Sequence, residues 1–344
     1  MAGRNGEAAV IRRPLLIGLA LLLVAVAAGA LWLKLDYDRF LETPLAVDSP
    51  LVFEIARGDS LQGVARGLAA EGLLERPGYL VWLGRESGLA GRIQPGEYRI
   101  EPGVRPAQLL ERFTRGAVIQ YPVTIVEGWT VPQLRAYLRG LEFLQHTLDG
   151  VPDADLLATL DLPPGHPEGR FLPDTYHFPR GTPDRAVLRR AYQAMADYLA
   201  KVWERRDPDL PLKTPYDALI LASIVEKETG LASERPQIAG VFIRRLQRGM
   251  RLQTDPTVIY GMGADFDGNI RRRDLRRDTP YNTYTRKGLP PTPIALPGRA
   301  AIEAVLHPAP GDALYFVARG DGSHQFSATL AEHNRAVRKY QLGR

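Results

Sequence analysis

Nineteen consecutive positions, Leu15 to Leu33, carry no charge and are almost all apolar. As a helix they would measure roughly 28 Å, enough to cross the hydrocarbon core of a membrane. Beyond them the pattern changes to short amphipathic segments. Val52 to Ile55 alternate as a strand would; Leu61–Ala70 and Pro77–Ser87 carry helical spacing; Glu97–Ile100 reads as a second strand and Pro106–Thr114 as a further helix. A strand is expected over Val118–Val126, then a Pro/Gly-rich stretch over Leu162–Pro183, and a long helix over Arg185–Arg205. Leu219 to Gly230 form a helix that is apolar nearly all round, and Ser233 reads as the N-cap of another helix that ends at Gly249. From Leu252 to Ile294 helical periodicity fades while tyrosine, asparagine and proline accumulate.

An all-round apolar helix belongs inside a domain, and the one at Leu219 ends by carrying Glu226 and Glu228 toward buried surroundings. A buried, unpaired carboxylate has its pKa raised until it holds a proton near neutral pH, which makes it a general acid. At 100° per residue Glu226 shares a face with Leu219 and Ala222, whereas Glu228 lies about 200° away with Leu221 and Ile224. The two cannot act as a facing pair. One can line a cleft while the other is packed or salt-bridged, and periodicity does not say which; a purely structural role for both is the competing reading.

Arg4, Arg12 and Arg13 precede the apolar run, while Asp36, Asp38 and Glu42 follow it closely. The positive-inside rule then predicts a cytoplasmic N-terminus over residues 1–14, a transmembrane helix over 15–33 and export of everything beyond. A cleaved signal peptide is the alternative, because Ala25-Val26-Ala27 and Ala28-Gly29-Ala30 resemble small-residue cleavage sites. The apolar run continues past those sites, which favours the uncleaved anchor.

The exported part is long enough for two domains with cores of their own. The expected organisation is a tether over 34–50, a small α+β module over 51–116 and a larger α+β domain over 117–344. The absence of cysteine removes thiol nucleophiles, disulfides and cysteine metal sites. The six histidines show no His-x-x-x-His spacing, and Asp265-Phe266-Asp267-Gly268-Asn269 lacks the glycine and glutamate a calcium loop needs at Ile270 and Arg276. No metal and no cofactor is expected. P-loop, dinucleotide-binding and esterase-elbow signatures are also missing. Net charge is +5, and all but six of the 44 basic residues are arginine. The Arg271–Arg277 run reads as a solvated face, and nucleic acid is not an expected partner of an exported chain.

Long proline-rich loops are commonly functional, and tyrosine rings with amides suit a sugar-binding cleft. The opening of the small module, Gly58-Asp59-Ser60-Leu61, resembles the start of a LysM glycan-binding motif, although turn and N-cap chemistry use the same residues.

Taken together, the helix Ser223–Thr229, the segment Leu252-Gln253-Thr254-Asp255-Pro256-Thr257-Val258-Ile259-Tyr260-Gly261, the loop Tyr281-Asn282-Thr283-Tyr284 and the tail motifs His307-Pro308-Ala309, Tyr315-Phe316-Val317, His324-x-Phe326 and Glu332-His333-Asn334 resemble the MltG (YceG-like) family of endolytic murein transglycosylases. The resemblance covers nearly the whole chain. It implies a lyase anchored in the bacterial inner membrane by one helix. Its catalytic domain would be periplasmic, cutting peptidoglycan between N-acetylmuramic acid and N-acetylglucosamine to leave 1,6-anhydro ends and terminating nascent strands. It further implies association with cell-wall synthases or the division and elongation machinery. Carried over by motif, the catalytic residue is Glu226, the first glutamate of Glu-Lys-Glu. The candidates for the cleft are Gln253, Asp255, Tyr260, Asn282, Tyr284, His324 and Asn334, with Glu168 as a second acidic residue. A two-carboxylate muramidase and a non-catalytic wall-binding scaffold are the alternatives.

Overall fold

The computed structural model describes the backbone over residues 7–343 and side chains over 16–343; the expected cytoplasmic residues 1–6 lie outside the described part. The chain divides between Gln120 and Tyr121 into two compact units.

The first unit opens with α1 (Glu7–Glu42), followed by β1 (Leu51–Ile55), α2 (Leu61–Ala70), α3 (Pro77–Glu86), β2 (Gly96–Ile100) and α4 (Pro106–Arg115). From Leu16 onward α1 is long and apolar enough to cross a membrane: its most apolar stretch reaches a mean hydropathy of 2.6 and none of it is buried. The helix does not give way to a tether at residue 34. It continues to Glu42, because Tyr37 and Phe40 turn an aromatic face to Tyr79 of α3 and Asp36 pairs with Arg76. β1 and β2 pair antiparallel with Phe53 opposite Tyr98, and their inward positions Phe53, Ile55, Tyr98 and Ile100 join Leu61, Val64, Leu68, Leu80, Leu109 and Phe113 in one core. Ser60 caps α2 by accepting from Gly63 N at 3.2 Å, and Asp59 accepts from Ala56 N at 2.8 Å. The Gly-Asp-Ser sequence is thus spent on turn and cap.

The second unit contains β3 (Tyr121–Thr124), α5 (Val131–Arg139), β4 (Leu144–Gln145), α6 (Leu156–Thr159), β5 (Thr175–Phe178), β6 (Thr182–Pro183), α7 (Asp184–Trp203), α8 (Pro215–Glu228), α9 (Arg235–Gln247), α10 (Asp255–Met262), α11 (Arg272–Arg276), α12 (Arg299–Leu306), β7 (Tyr315–Ala318), β8 (His324–Ser327) and α13 (Leu330–Tyr340). Its sheets are two-stranded: β3 with β5 and β7 with β8 antiparallel, β4 with β6 parallel. The first strand is shorter than the Val118–Val126 run expected. α8 is the central element. Thr214 and Asp217 form a capping box at its start, Pro215 occupies the first turn, and every residue from Ala218 to Val225 is buried among α7, α9, α10 and α12.

Two further expectations are corrected. Ser233 is not an N-cap; Ala232–Glu234 form a short 3-10 turn, α9 starts after it and runs to Gln247, and Gly249 takes the left-handed conformation (φ 64°) just beyond. The segment after Leu252 is not free of helix, since α10 begins immediately at Asp255.

Candidate functional site

The last turn of α8 delivers its two carboxylates to different places, as a 200° separation requires. Both sit at the negative end of the helix dipole, which disfavours ionisation.

Glu226 accepts from Gly298 N at 2.9 Å through Oε2 and from Arg235 Nη2 at 3.2 Å through Oε1. Its side chain is only 5% exposed, and Arg235 also reaches Glu127 Oε2 at 3.7 Å. Burial raises the pKa of Glu226, opposed by Gly298 N–H and Arg235 and assisted by Glu127. Both oxygens are therefore held by groups of the fold, joining the end of α8 to the start of α9 and the N-cap of α12. A Cβ at Gly298 would lie 1.9 Å from Glu127 Oε1, so a larger residue here would have to turn the half-exposed Glu127 side chain aside.

Glu228 accepts from the Thr254 hydroxyl and faces a cavity of about 600 Å³. Burial, with Asp255 adding to it, pushes its pKa up to about 7, against the pull of Thr254, His324 and Arg245. That volume is in the range of ligand pockets. Of the residues singled out from sequence, Gln253, Asp255, Tyr284, His324 and Asn334 all line this cavity. Tyr284 Oη donates to Asp255 at 2.6 Å, so burial and Asp255 hold the phenol protonated. His324 uses Nδ1 and its backbone N–H on Glu234, at 2.7 and 2.9 Å. Gln253 adopts a left-handed backbone (φ 54°), a strained conformation for a residue with a side chain and one found preferentially at functional sites.

Arg245, Tyr315 and His333 also line the cavity: Arg245 gave no signal in the sequence, and Tyr315 and His333 stood in the tail motifs without being singled out for the cleft. Arg245 is buried and spends its guanidinium on the carbonyls of Leu314, Arg251 and Leu252 and on Gln253 Oε1, lying 5.0 Å over the Tyr315 ring. It is the frame on which three separate segments meet. His333 stacks on Tyr315 at 5.2 Å, its Nδ1 is buried with no hydrogen-bond partner among the described residues, and burial with Arg245 lowers its pKa, which favours the neutral ring.

The remaining candidates lie elsewhere. Asn282 is buried with its amide given to the carbonyls of Asp274, Leu275 and Arg277 and its Oδ1 accepting from Tyr284 N, so it braces the loop. Glu168 and Tyr260 form a separate pair: Tyr260 Oη donates to Glu168 at 3.2 Å, and Val131 N donates to it at 3.0 Å. Gly169 permits this seat, with φ at 79° and room for no Cβ, which would approach Pro293 to 2.5 Å. Burial raises Glu168 from 4.5 to about 7.

Because the folded pKa of Glu168 lies above the unfolded one, its protonated form favours the fold. That contribution is complete below pH 4.5 and is lost as pH rises through 7. On the order of 3 kcal/mol should disappear across this interval, and Glu168→Gln should remove that part of the slope in urea melts run from pH 4 to 8. An unchanged slope would show that Glu168 is not the group responsible.

A second cavity of about 310 Å³, between α7 and the start of α8, is mostly apolar and has no carboxylate in its lining. Among the described residues no cluster of histidine and acidic side chains could hold a metal ion.

Comparison with known proteins bears on the whole chain. The YceG-like family profile matches residues 53–339. An endolytic murein transglycosylase of Bacillus subtilis is 30% identical over 330 residues, covering 88% of this chain and 89% of that protein. One from Streptococcus pneumoniae D39 is 25% identical over 367 residues, covering 94% of this chain and 64% of a longer protein. A crystal structure of a YceG-like protein from Listeria monocytogenes superposes with a TM-score of 0.51 at 28% identity, covering 84% of this chain and 99% of that one. On the extent of these matches, the chain belongs to the YceG-like family.

Proposed function

We propose that the protein is a membrane-anchored endolytic lytic transglycosylase of peptidoglycan, with Glu228 as its single acid and base. The observation that carries the reading is the cavity at Glu228, whose carboxyl is held near neutrality beside amides, tyrosines and histidines suited to a sugar. The names of the relatives supply the substrate class.

In this mechanism protonated Glu228 donates to the glycosidic oxygen as its bond to C1 of the N-acetylmuramic acid breaks. The carboxylate then takes the proton of the C6 hydroxyl of the same sugar, whose oxygen bonds to C1 and closes the 1,6-anhydro ring. Protons balance and no water is consumed. The intramolecular nucleophile replaces the second carboxylate that ordinary glycosidases need. Asp255, in the same lining, would support the positive charge developing at C1.

The family motif points instead to Glu226. Its two oxygens are both engaged by Arg235 and Gly298, and it is absent from the lining of the cavity; a bracing role suits it better. The βααβ order of the first unit supports a LysM-like module that contacts glycan, and α1 supports a single-pass inner-membrane anchor with a cytoplasmic N-terminus and an exported catalytic unit. Action on nascent strands beside cell-wall synthases follows from the same reading.

A muramidase is the second reading, favoured by Asp255 sharing the cavity with Glu228. Mass spectrometry of uncrosslinked glycan after digestion separates the two. Anhydro-muramyl ends are expected; reducing ends would replace the lyase with a hydrolase, and intact strands would leave a wall-binding scaffold.

A further inference from the structure

We infer that the outer face of α3 lies in the headgroup layer of the membrane, so that the first unit rests on a lipid surface; this deepens the reading of α1 as an anchor and rests on it.

The inference begins with how α3 is fastened to α1. Arg76, at the start of α3, pairs with Asp36, while Glu86, its last residue, accepts from Tyr37 Oη at 3.3 Å. Tyr79 Oη, between them, donates to Asp36 at 2.7 Å. Both ends of a ten-residue helix therefore reach neighbouring residues of α1. A helix running alongside α1 would meet positions about ten residues apart, so α3 crosses α1 at the level of Asp36 and Tyr37.

That level is fixed relative to the membrane. The uncharged run ends at Leu33, followed by Lys34. Tyr37 lies four residues on, about 6 Å along an unbroken helix, and any tilt of α1 brings it closer to the hydrocarbon. The headgroup layer on each side is about 5–8 Å thick. α3 thus falls within it.

The residues on the outside of α3 suit that place. Gly78, Trp82 and Arg85 are exposed at i, i+4 and i+7, on one face. Trp82 is 43% exposed, and its ring stacks on Tyr37 at 4.6 Å, which ties it to the exit point of α1. An amphipathic indole is at home at the membrane interface, and an arginine beside it can meet lipid phosphates. Glu86 is also exposed, one turn beyond Trp82 on the same side of α3, and its carboxylate accepts from Tyr37.

The test is a nitroxide placed at Gly78 in the full chain, reconstituted in vesicles of phosphatidylethanolamine and phosphatidylglycerol. The chain has no cysteine, and a Cβ at Gly78 meets nothing within 4 Å, so Gly78→Cys labels the face while keeping Trp82. A second label at Leu23→Cys reports the anchor. Expected are a Leu23 label deep in hydrocarbon and a Gly78 label severalfold less accessible to a water-soluble nickel complex than a free nitroxide. A deep Leu23 label with a fully accessible Gly78 label would overturn the inference and leave the anchor standing. A water-exposed Leu23 label would remove the anchor, and the inference with it.

Discussion

Glu228→Gln is expected to lower turnover of uncrosslinked glycan by roughly 10²- to 10⁴-fold, the range contributed by a positioned general acid and base. The amide keeps the shape of the side chain and an oxygen for the Thr254 hydroxyl but carries no transferable proton, so folding should be nearly unaffected. Glu226→Gln provides the contrast. It retains an acceptor for Gly298 N–H but loses the charge opposite Arg235. Removing one member of a buried ion pair costs about 3–5 kcal/mol when the other is stranded. Here Glu127 remains within reach of Arg235, so a loss nearer about 1–3 kcal/mol is expected, with turnover largely retained at temperatures where the variant is folded. Rates and melting temperatures of the two variants, measured side by side, assign the acid. A dead, fully stable Glu226→Gln beside an active Glu228→Gln would return the role to the first glutamate of the motif.

The pair of carboxylates was legible in the sequence because it depends on the helical repeat alone. An apolar helix from Leu219 and two glutamates about 200° apart follow from a period of 3.6, and the structure keeps both features. Which glutamate meets the cavity was not legible. The lining comes from the end of α8, from Arg245, from the turn before α10, from Tyr284 and from β7, β8 and α13, segments whose meeting no local period encodes. Arg245 has the composition of a solvated arginine on a basic helix and becomes a buried frame only through the carbonyls of Leu314 and Leu252. Ser233 had the chemistry of a cap, but the 3-10 turn that displaces it ends on Glu234, whose carboxylate holds His324. The continuation of α1 escaped for a related reason: Asp36, Asp38 and Glu42 read as the flank of a membrane span, and what extends the helix is the packing of Tyr37 and Phe40 on another element. Asn282 shows the opposite error. Its residue type suited sugar hydroxyls, and three backbone carbonyls claim its amide first.

The acid role of Glu228 also fixes the sign of the pH response. With its pKa pushed up to about 7, the free enzyme holds the proton below that pH and loses it above. kcat/KM should therefore be level on the acid side of 7 and fall about tenfold per pH unit on the alkaline side. Two neighbours should move this limb in opposite directions. The Thr254 hydroxyl bonds the charged form, so Thr254→Val destabilises the carboxylate, raises its pKa and carries the limb to higher pH. Asp255 is a like charge nearby, so Asp255→Asn favours ionisation and carries the limb to lower pH, whatever it does to the rate. A variant that merely loosens the fold has no reason to displace a limb in a sign set by charge, and opposite displacements from adjacent positions are harder still to produce that way. A limb that stays in place in both variants would mean that the proton being read is not on Glu228.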